Sequence, residues 1–382
     1  MKKLYVTYLV VFISFQLIAQ EKGQQLFLSG YIKNLHEFSF VDKLKQTEWT
    51  TLVHNRLNFK YTPSDAISVR LELRNRLFYG ESLKKINAFS EIISNDTGIV
   101  NLSWNVIDDE NILFNTMIDR ALINYTKGNW DITLGRQRVN WGMNLAWNPN
   151  DIFNTYNLLD FDYEERPGSD AVRIQYYLGD FNKIEVTAKK GRSGADHIAA
   201  IMYKFNKWVY DIQIFSGIYQ KDWVSGIGWA GNLKNAGFKG EISYFVPFES
   251  YFDSRNTLSA SISIDYAFQK GLFVNGSVLY NSLANDSSSN LGTLIYSNLS
   301  AKILMPFSYS YFLQFSKEIT PIMNWNFSAI YSGTRQSVIF MPSINYSIAT
   351  NWNLSFIGQS FMEFEDYKTI GNRCVARIQY SF

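Results

Sequence analysis

The sequence predicts an all-β protein, a transmembrane antiparallel up-and-down β-barrel of about 18 strands (roughly 16–20). Three observations lead to this fold class. The chain begins with an apolar segment typical of secretory signals, its later segments alternate between apolar and polar residues, and its connections alternate between short and long. Short turns are expected on the periplasmic side and long loops on the extracellular side.

The composition narrows the function classes. The 382 residues carry 36 Lys+Arg against 34 Asp+Glu, so no basic excess attracts nucleic acid. One cysteine excludes an intrachain disulfide framework, and three histidines far apart in sequence argue against a metal site, so no metal or other cofactor is expected. Aromatic residues make up 16% of the chain and charged residues only 18%, a combination that barrel girdles explain.

The first 20 residues read as a secretory signal peptide. Lys2 and Lys3 precede an apolar stretch from Leu4 to Ala19, and polar residues follow at once. Cleavage is expected near residues 19–20, which leaves 21–382 as a single barrel domain. A retained N-terminal anchor is the alternative.

Period-two alternation is the main strand signal. In Ala66–Phe78, one face carries Ile67, Val69, Leu71, Leu73 and Leu77, and the other carries Ser68, Arg70, Glu72, Arg74 and Arg76. Because successive side chains of a strand point to opposite faces, such a segment has an apolar and a charged side. A closed barrel lets the apolar side face lipid while every backbone group is paired.

The connections divide into two kinds. Short turns such as Thr62–Asp65 and Gly179–Asn182 alternate with long connections near 36–50, 79–115, 139–168, 247–257 and 282–306. This alternation describes hairpins whose tight turns lie at one end of a barrel.

The last strand has a recognisable end. Cys374, Ala376, Ile378, Tyr380 and Phe382 share one face of the final segment. A last strand that ends on an aromatic residue resembles the assembly signal of Gram-negative outer-membrane barrels, with Tyr380 and Phe382 as its aromatic residues. The resemblance implies the barrel-assembly machinery as a partner.

One internal segment resembles a family. Residues 134–154 read LGRQRVNWGMNLAWNPNDIFN. The pattern G-R-Q-R-x-x-W-G followed by W-N-P-x-D-x-F-N is similar to porin-like barrels related to the alginate-export and phosphate-selective families. The resemblance implies a passive diffusion channel and names no solute.

Two arginines in that segment require a local irregularity. Strict alternation would place Arg136 and Arg138 on the lipid face with Leu134, where a charge costs about 2–4 kcal/mol at the midplane. A bulge at Gly135 would turn both inward, so the sequence predicts that bulge.

The loop after Trp141–Gly142 is predicted to fold into the barrel and constrict it. Asn148–Pro149 suits the start of a short helix near 149–157. Acidic groups placed opposite wall arginines would then narrow the lumen. The candidate constriction residues are Trp147, Asp151, Asp160, Asp162, Glu164 and Glu165. The alternative is that the acidic run caps a solvent-exposed loop.

Basic residues dominate the predicted inner faces. The candidate pore-lining residues are Arg56, Arg70, Glu72, Arg74, Arg76, Arg120, Arg136, Arg138, Arg173, Lys183, Lys189, Arg373 and Arg377. Arg/Lys rings favour anions, whereas charges that pair with one another leave a pore unselective. We therefore predict a weakly selective or anion-leaning pore.

The predicted function is a porin-like channel for passive diffusion of small solutes in the Gram-negative outer membrane, with membrane lipid as its surroundings. The alternative is a non-transport barrel whose extracellular loops serve export, adhesion or assembly with partners. An enzyme is not expected, because no GxSxG or HExxH motif occurs and His54 has no evident serine partner.

Overall fold

The computed structural model describes residues 25–41, 46–85, 88–155, 157–162, 165–192, 196–248, 255–284, 299–333, 336–364 and 368–382. The predicted signal segment and Glu164 lie outside these residues. No helix in these ranges is long and apolar enough to cross a membrane.

Nineteen strands make up the sheet. Their bounds are β1 Leu26–Val41, β2 Gln46–Ser64, β3 Ile67–Gly80, β4 Ser103–Asp109, β5 Ile112–Lys127, β6 Trp130–Gln137, β7 Ser169–Tyr177, β8 Lys183–Lys189, β9 Ile198–Lys207, β10 Tyr210–Tyr219, β11 Asp222–Leu233, β12 Ala236–Pro247, β13 Thr257–Ala267, β14 Leu272–Asn281, β15 Tyr309–Thr320, β16 Met323–Ser332, β17 Ser337–Ala349, β18 Trp352–Glu363 and β19 Lys368–Ser381. A 3-10 turn, Glu81–Lys85, and helix α1, Phe89–Ser94, lie between β3 and β4.

Eighteen of these strands close a barrel, which confirms the predicted fold class. The closed circuit of strands skips β4, because β3 pairs directly with β5. Every other strand in the circuit pairs with the next one in the chain, and β19 pairs with β1 to close the circuit. Every pairing is antiparallel, and closure brings Tyr31 opposite Ser381. We call the end that carries the turn between β2 and β3 the short-turn end and the other the long-loop end.

Strand β4 was not predicted, because it falls inside the connection expected at 79–115. Strand β6 ends at Gln137 and pairs only with residues 121–127 of β5. The part of β5 nearer the long-loop end therefore has one free edge, and β4 pairs with residues 112–117 along it. Strand β1 extends to Val41, and β2 begins at Gln46. The connection expected at 36–50 is therefore shorter than predicted.

The bulge predicted at Gly135 is wrong. The ladders of β6 with β5 and β7 continue through Gly135 without a register shift, although its φ is +114°. The shift lies in the neighbouring strand, where Glu72 pairs with Arg120 and Leu73 with Ile118, which leaves Asp119 as the extra residue. A bulge changes the direction in which the side chains of its own strand point. Since this bulge lies in β5, it could not be recognised from the residues of β6 alone.

The two faces of the wall differ in polarity as alternation requires. On β13, Ser261 and Ser263 are buried inside, whereas Ile262 and Ile264 are 42% and 52% exposed outside. The interior also contains loop residues packed against inward apolar side chains, for example Trp141 and Phe153 against Phe215. The structure therefore has an apolar outer surface around a partly filled polar interior.

Candidate functional site

The described residues of the segment from Arg138 to Gly168, here called the inner loop, lie inside the barrel along its wall. Near its start lies Trp141, whose indole Nε1 donates to Glu185 on β8 at 2.7 Å. Gln213 on β10 donates to the carbonyl oxygen of Trp141 at 2.6 Å. Trp141 is 1% exposed, so the loop leaves β6 directly into the interior.

Glu241 on β12 is the strongest anchor of the inner loop. Its fully buried carboxylate accepts backbone N–H groups from Met143, from Asn144 at 2.7 Å and from Asn150 at 2.9 Å. One wall side chain therefore fixes both arms of the turn at 143–150.

Serine hydroxyls fix the same turn from neighbouring strands. Ser243 donates to the carbonyl oxygen of Pro149 at 2.9 Å, and Ser263 donates to the side-chain oxygen of Asn144 at 2.8 Å. Ser261 donates to the carbonyl oxygen of Trp147 at 2.9 Å. The ring of Trp147 packs edge-on against Phe312 of β15. These bonds leave no helix in the described part of 149–157, so the predicted helix is wrong.

The acidic end of the inner loop meets the basic wall of the first three strands. Asp162 lies 3.1 Å from Lys33 Nζ, 3.1 Å from His54 Nδ1 and 3.2 Å from Arg74. Further along, Glu165 accepts from Tyr31 at 3.2 Å. The geometry thus brings Asp162 and Glu165 to wall side chains, including the predicted Arg74, rather than to solvent.

The remaining loop contacts complete a circuit. Gln359 on β18 donates to the carbonyl oxygen of Leu159 at 3.1 Å, and Arg373 on β19 lies over the ring of Phe161 at 4.7 Å. Arg120 on β5 donates to the carbonyl oxygens of Glu165 and Arg166. The inner loop therefore contacts the wall almost all the way around. Its contacts start at β8, continue to β15, and run through β18 and β19 to the first strands and β5.

Most of the candidate pore-lining cations have carboxylate partners. These pairs are Arg56 with Glu72 and Asp119, Arg74 with Asp162, Arg120 with Asp119, Arg136 with Asp96 and Asp170, Arg173 and Lys183 with Glu185, and Arg373 with Glu37. The charges of the lumen are thus largely balanced locally.

Five candidate cations have other surroundings. Arg76 donates to the carbonyl oxygen of Ile93 and to Asn115, Lys189 to the carbonyl oxygen of Phe153, and Arg377 to Ser355. Arg70 is exposed near the short-turn end, and Arg138 is partly buried after the end of β6.

A cavity of about 630 Å³ lies on the long-loop side of the acidic end. Its border combines charged groups, among them Arg74, Arg136 and Asp160, with apolar ones such as Phe78 and Phe89. A solute that enters from the long-loop end would meet this mixed surface before the inner loop.

Asp151 gives the inner loop a pH-dependent element. Complete burial raises the pKa of its carboxyl group to about 7, and Arg166 Nη1 is 3.9 Å from the carboxylate. A raised pKa means that the native state holds the proton more tightly than the unfolded chain does, so the stabilisation is complete below about pH 4 and is lost as pH rises through 7.

We therefore expect Asp151→Asn to protect the inner loop at pH 8, by up to about 4 kcal/mol of local stability. Hydrogen exchange of residues 141–154 at pH 5 and pH 8 measures this. Wild-type exchange should accelerate at pH 8 beyond the intrinsic effect of pH, and the variant should not show that excess. Equal excess acceleration in both proteins contradicts the assignment.

Sequence inspection missed the anchoring role of Glu241 and Glu185. Both fall on inward faces, but nothing in their own strands names a loop as their partner. The signal is indirect: the loop segment 140–154 is rich in asparagine, and its amide and backbone N–H groups need acceptors on a wall.

Comparisons with known proteins identify the fold. No known family matches the sequence, and no curated protein matches it. Among crystal structures, OccAB4 of Acinetobacter baumannii superimposes with a TM-score of 0.60 at 9% identity, covering 95% of this chain and 99% of that one. OccK11 (OpdR) of Pseudomonas aeruginosa gives 0.58 at 9% identity, covering 95% and 98%.

A third crystal structure, OpdK of Pseudomonas aeruginosa with vanillate, gives a TM-score of 0.55 at 8% identity, covering 93% of this chain and 98% of that one. The resemblance to the alginate-export and phosphate-selective families stays a prediction. At these identities the likeness concerns architecture: this chain has the closed antiparallel barrel fold of the Occ and Opd outer-membrane porins.

Proposed function

We propose that this protein is an outer-membrane channel through which small solutes diffuse passively. One observation carries the proposal: an apolar-surfaced barrel contains a polar lumen narrowed by a loop hydrogen-bonded around its wall. An 18-strand barrel encloses an aqueous lumen, and an inward loop is the simplest way to restrict what passes through it. The fold neighbours support the same proposal.

The charge pairs favour weak selectivity with an anion preference. Most wall cations are neutralised by nearby carboxylates, so long-range attraction of anions is reduced. Arg70, which is exposed and has no carboxylate within 4 Å among the described residues, tips the balance towards anions. The OpdK structure contains vanillate, a small organic anion. We extend that solute class to this chain as part of the proposal.

Planar-bilayer recording tests the proposal. Purified protein with the heat-modifiable gel migration of a folded barrel should give discrete conductance steps. In a salt gradient, the reversal potential should show a modest anion preference. Folded protein that conducts no ions would contradict the channel, and a clear cation preference would contradict the selectivity.

The second candidate function is a barrel that contacts a partner through its long-loop end. It is favoured by β4 and the segment before it, where Val100 and Val106 are 58% and 62% exposed. Exposed apolar residues beside a strand edge are typical of interaction sites. Absence of conductance together with co-purification of a partner through this segment would favour this function.

A further inference from the structure

A row of polar side chains lies on the outward face of four neighbouring strands. The row consists of Asn34 on β1, Asn55 on β2, Asn75 on β3 and Thr116 on β5. Asn55 is directly opposite Asn75, and Asn75 is directly opposite Thr116. All four are partly exposed and lie well inside their strands.

Alternation places this polar row on the lipid side. The residues next to its members along the chain are buried in the interior. They are His54 and Arg56 on either side of Asn55, and Arg74 and Arg76 on either side of Asn75. Far around the barrel, the corresponding outward positions of β12 and β13 are apolar: Ile242, Tyr244, Ile262 and Ile264. The polar row is therefore a run of polar residues across four neighbouring strands, unlike the outward positions of β12 and β13.

The internal hydrogen bonds of the row leave part of its capacity unused. Thr116 donates to Asn75 at 3.1 Å, Asn75 to Asn55 at 3.2 Å, and Asn55 to the carbonyl oxygen of Tyr31 at 3.1 Å. Each amide has a second N–H and further lone pairs. Asn34 stands between Val53 and Ile378 and makes no side-chain hydrogen bond to the described part of the chain. Hydrocarbon offers these groups no partner.

Small residues lie beside the polar row. Cys374 and Ala376 on β19 are opposite Phe38 and His36 of β1, and Gly358 on β18 is opposite Cys374. Cys374 is exposed. Small residues at a membrane-facing surface let a second protein approach closely, and polar residues then hydrogen-bond across the contact.

We propose that this face, formed by β18, β19, β1, β2, β3 and β5, binds a second copy of the chain within the membrane. An amide both donates and accepts, so the row is complementary to itself, as a twofold contact between identical patches requires. Six strands about 4.8 Å apart and an apolar band about 25 Å tall give at most roughly 700 Å² per copy, or about 1,400 Å² in all. Because two convex barrels touch over part of that face, the buried area lies at the small end of specific interfaces.

The test uses the full-length mature protein in lipid nanodiscs and bilayer vesicles. Wild-type protein should associate, and the variant Asn55→Leu/Asn75→Leu should associate roughly tenfold more weakly or not at all, since leucine suits lipid. Ser216→Leu/Ser225→Leu, an outward polar pair on β10 and β11, is the matched control and should associate like wild type. Heat-modifiable migration confirms that all three proteins are folded.

Cys374 supplies an independent readout, because it is the single cysteine and lies on the proposed face. A spin label there should report a distance between copies shorter than one barrel diameter. Wild-type monomers in the bilayer, unchanged association of the Asn variant, or labels separated by more than a barrel diameter would each overturn the proposal. Capture of a different protein by this face in place of a second copy would overturn it as well. Channel conductance is not part of either readout.

Discussion

Replacing Glu241 with alanine is expected to release the turn of the inner loop from the wall and to raise single-channel conductance several-fold. The carboxylate accepts N–H groups of Met143, Asn144 and Asn150. Each interior N–H left without an acceptor costs about 1–3 kcal/mol, so the three together would favour displacement of the turn towards water by about 3–9 kcal/mol. The lumen would widen where the loop had been.

Two further variants isolate the cause. Glu241→Gln keeps one oxygen acceptor and places an NH₂ group against loop donors, so its conductance should lie between those of wild type and alanine. Glu318→Ala removes an exposed glutamate at the short-turn end of β15 and should leave conductance unchanged. If Glu241→Ala folds and conducts like wild type, the loop is not what narrows the pore.

The inner loop is held by many separate polar contacts in addition to the apolar packing of its Trp and Phe side chains. Trp141, Asn150, Leu159 and Asp162 are each bonded to a different strand, from Glu185 on β8 to Arg74 on β3. A loop fixed in this way can lie along the wall while cavities remain beside it.

The fold could be predicted because alternation is a local property. In Ala66–Phe78 each residue's face follows from its neighbours, and the structure places Arg74 and Arg76 inside as expected. The same logic indicated that acidic loop residues would meet wall arginines, and the structure brings Asp162 to Arg74. Opposite charges on facing elements are visible in a sequence once the elements are known.

The rest depended on which strands are neighbours. The bulge belongs to Asp119 rather than Gly135, because the register between β3 and β5 decides it, and β4 exists because β6 ends early. Glu241 is one inward carboxylate among several until the loop is seen to lie against it. Neither the polar row nor its small neighbours could be assembled without the pairing of β1 with β19.

Replacing Asp162 with asparagine is expected to shift the channel towards anions. Asp162 balances Lys33 and Arg74, and it accepts a hydrogen bond from His54 Nδ1 at 3.1 Å. Without its charge, Lys33 and Arg74 lose the carboxylate that lies within 3.2 Å of both. One unbalanced charge near a narrow pore is worth about 1 kcal/mol, so the anion-to-cation permeability ratio should rise roughly fivefold.

Reversal potentials in a salt gradient measure this ratio, and raised ionic strength should reduce the effect because salt screens the uncovered charge. Asp180→Asn, in the exposed turn between β7 and β8, removes the same charge away from the inner loop and should leave the ratio near that of wild type. An equal shift in both variants would mean that overall charge, rather than the cluster around Asp162, sets selectivity. No shift in Asp162→Asn would place the narrow part of the pathway elsewhere in the lumen.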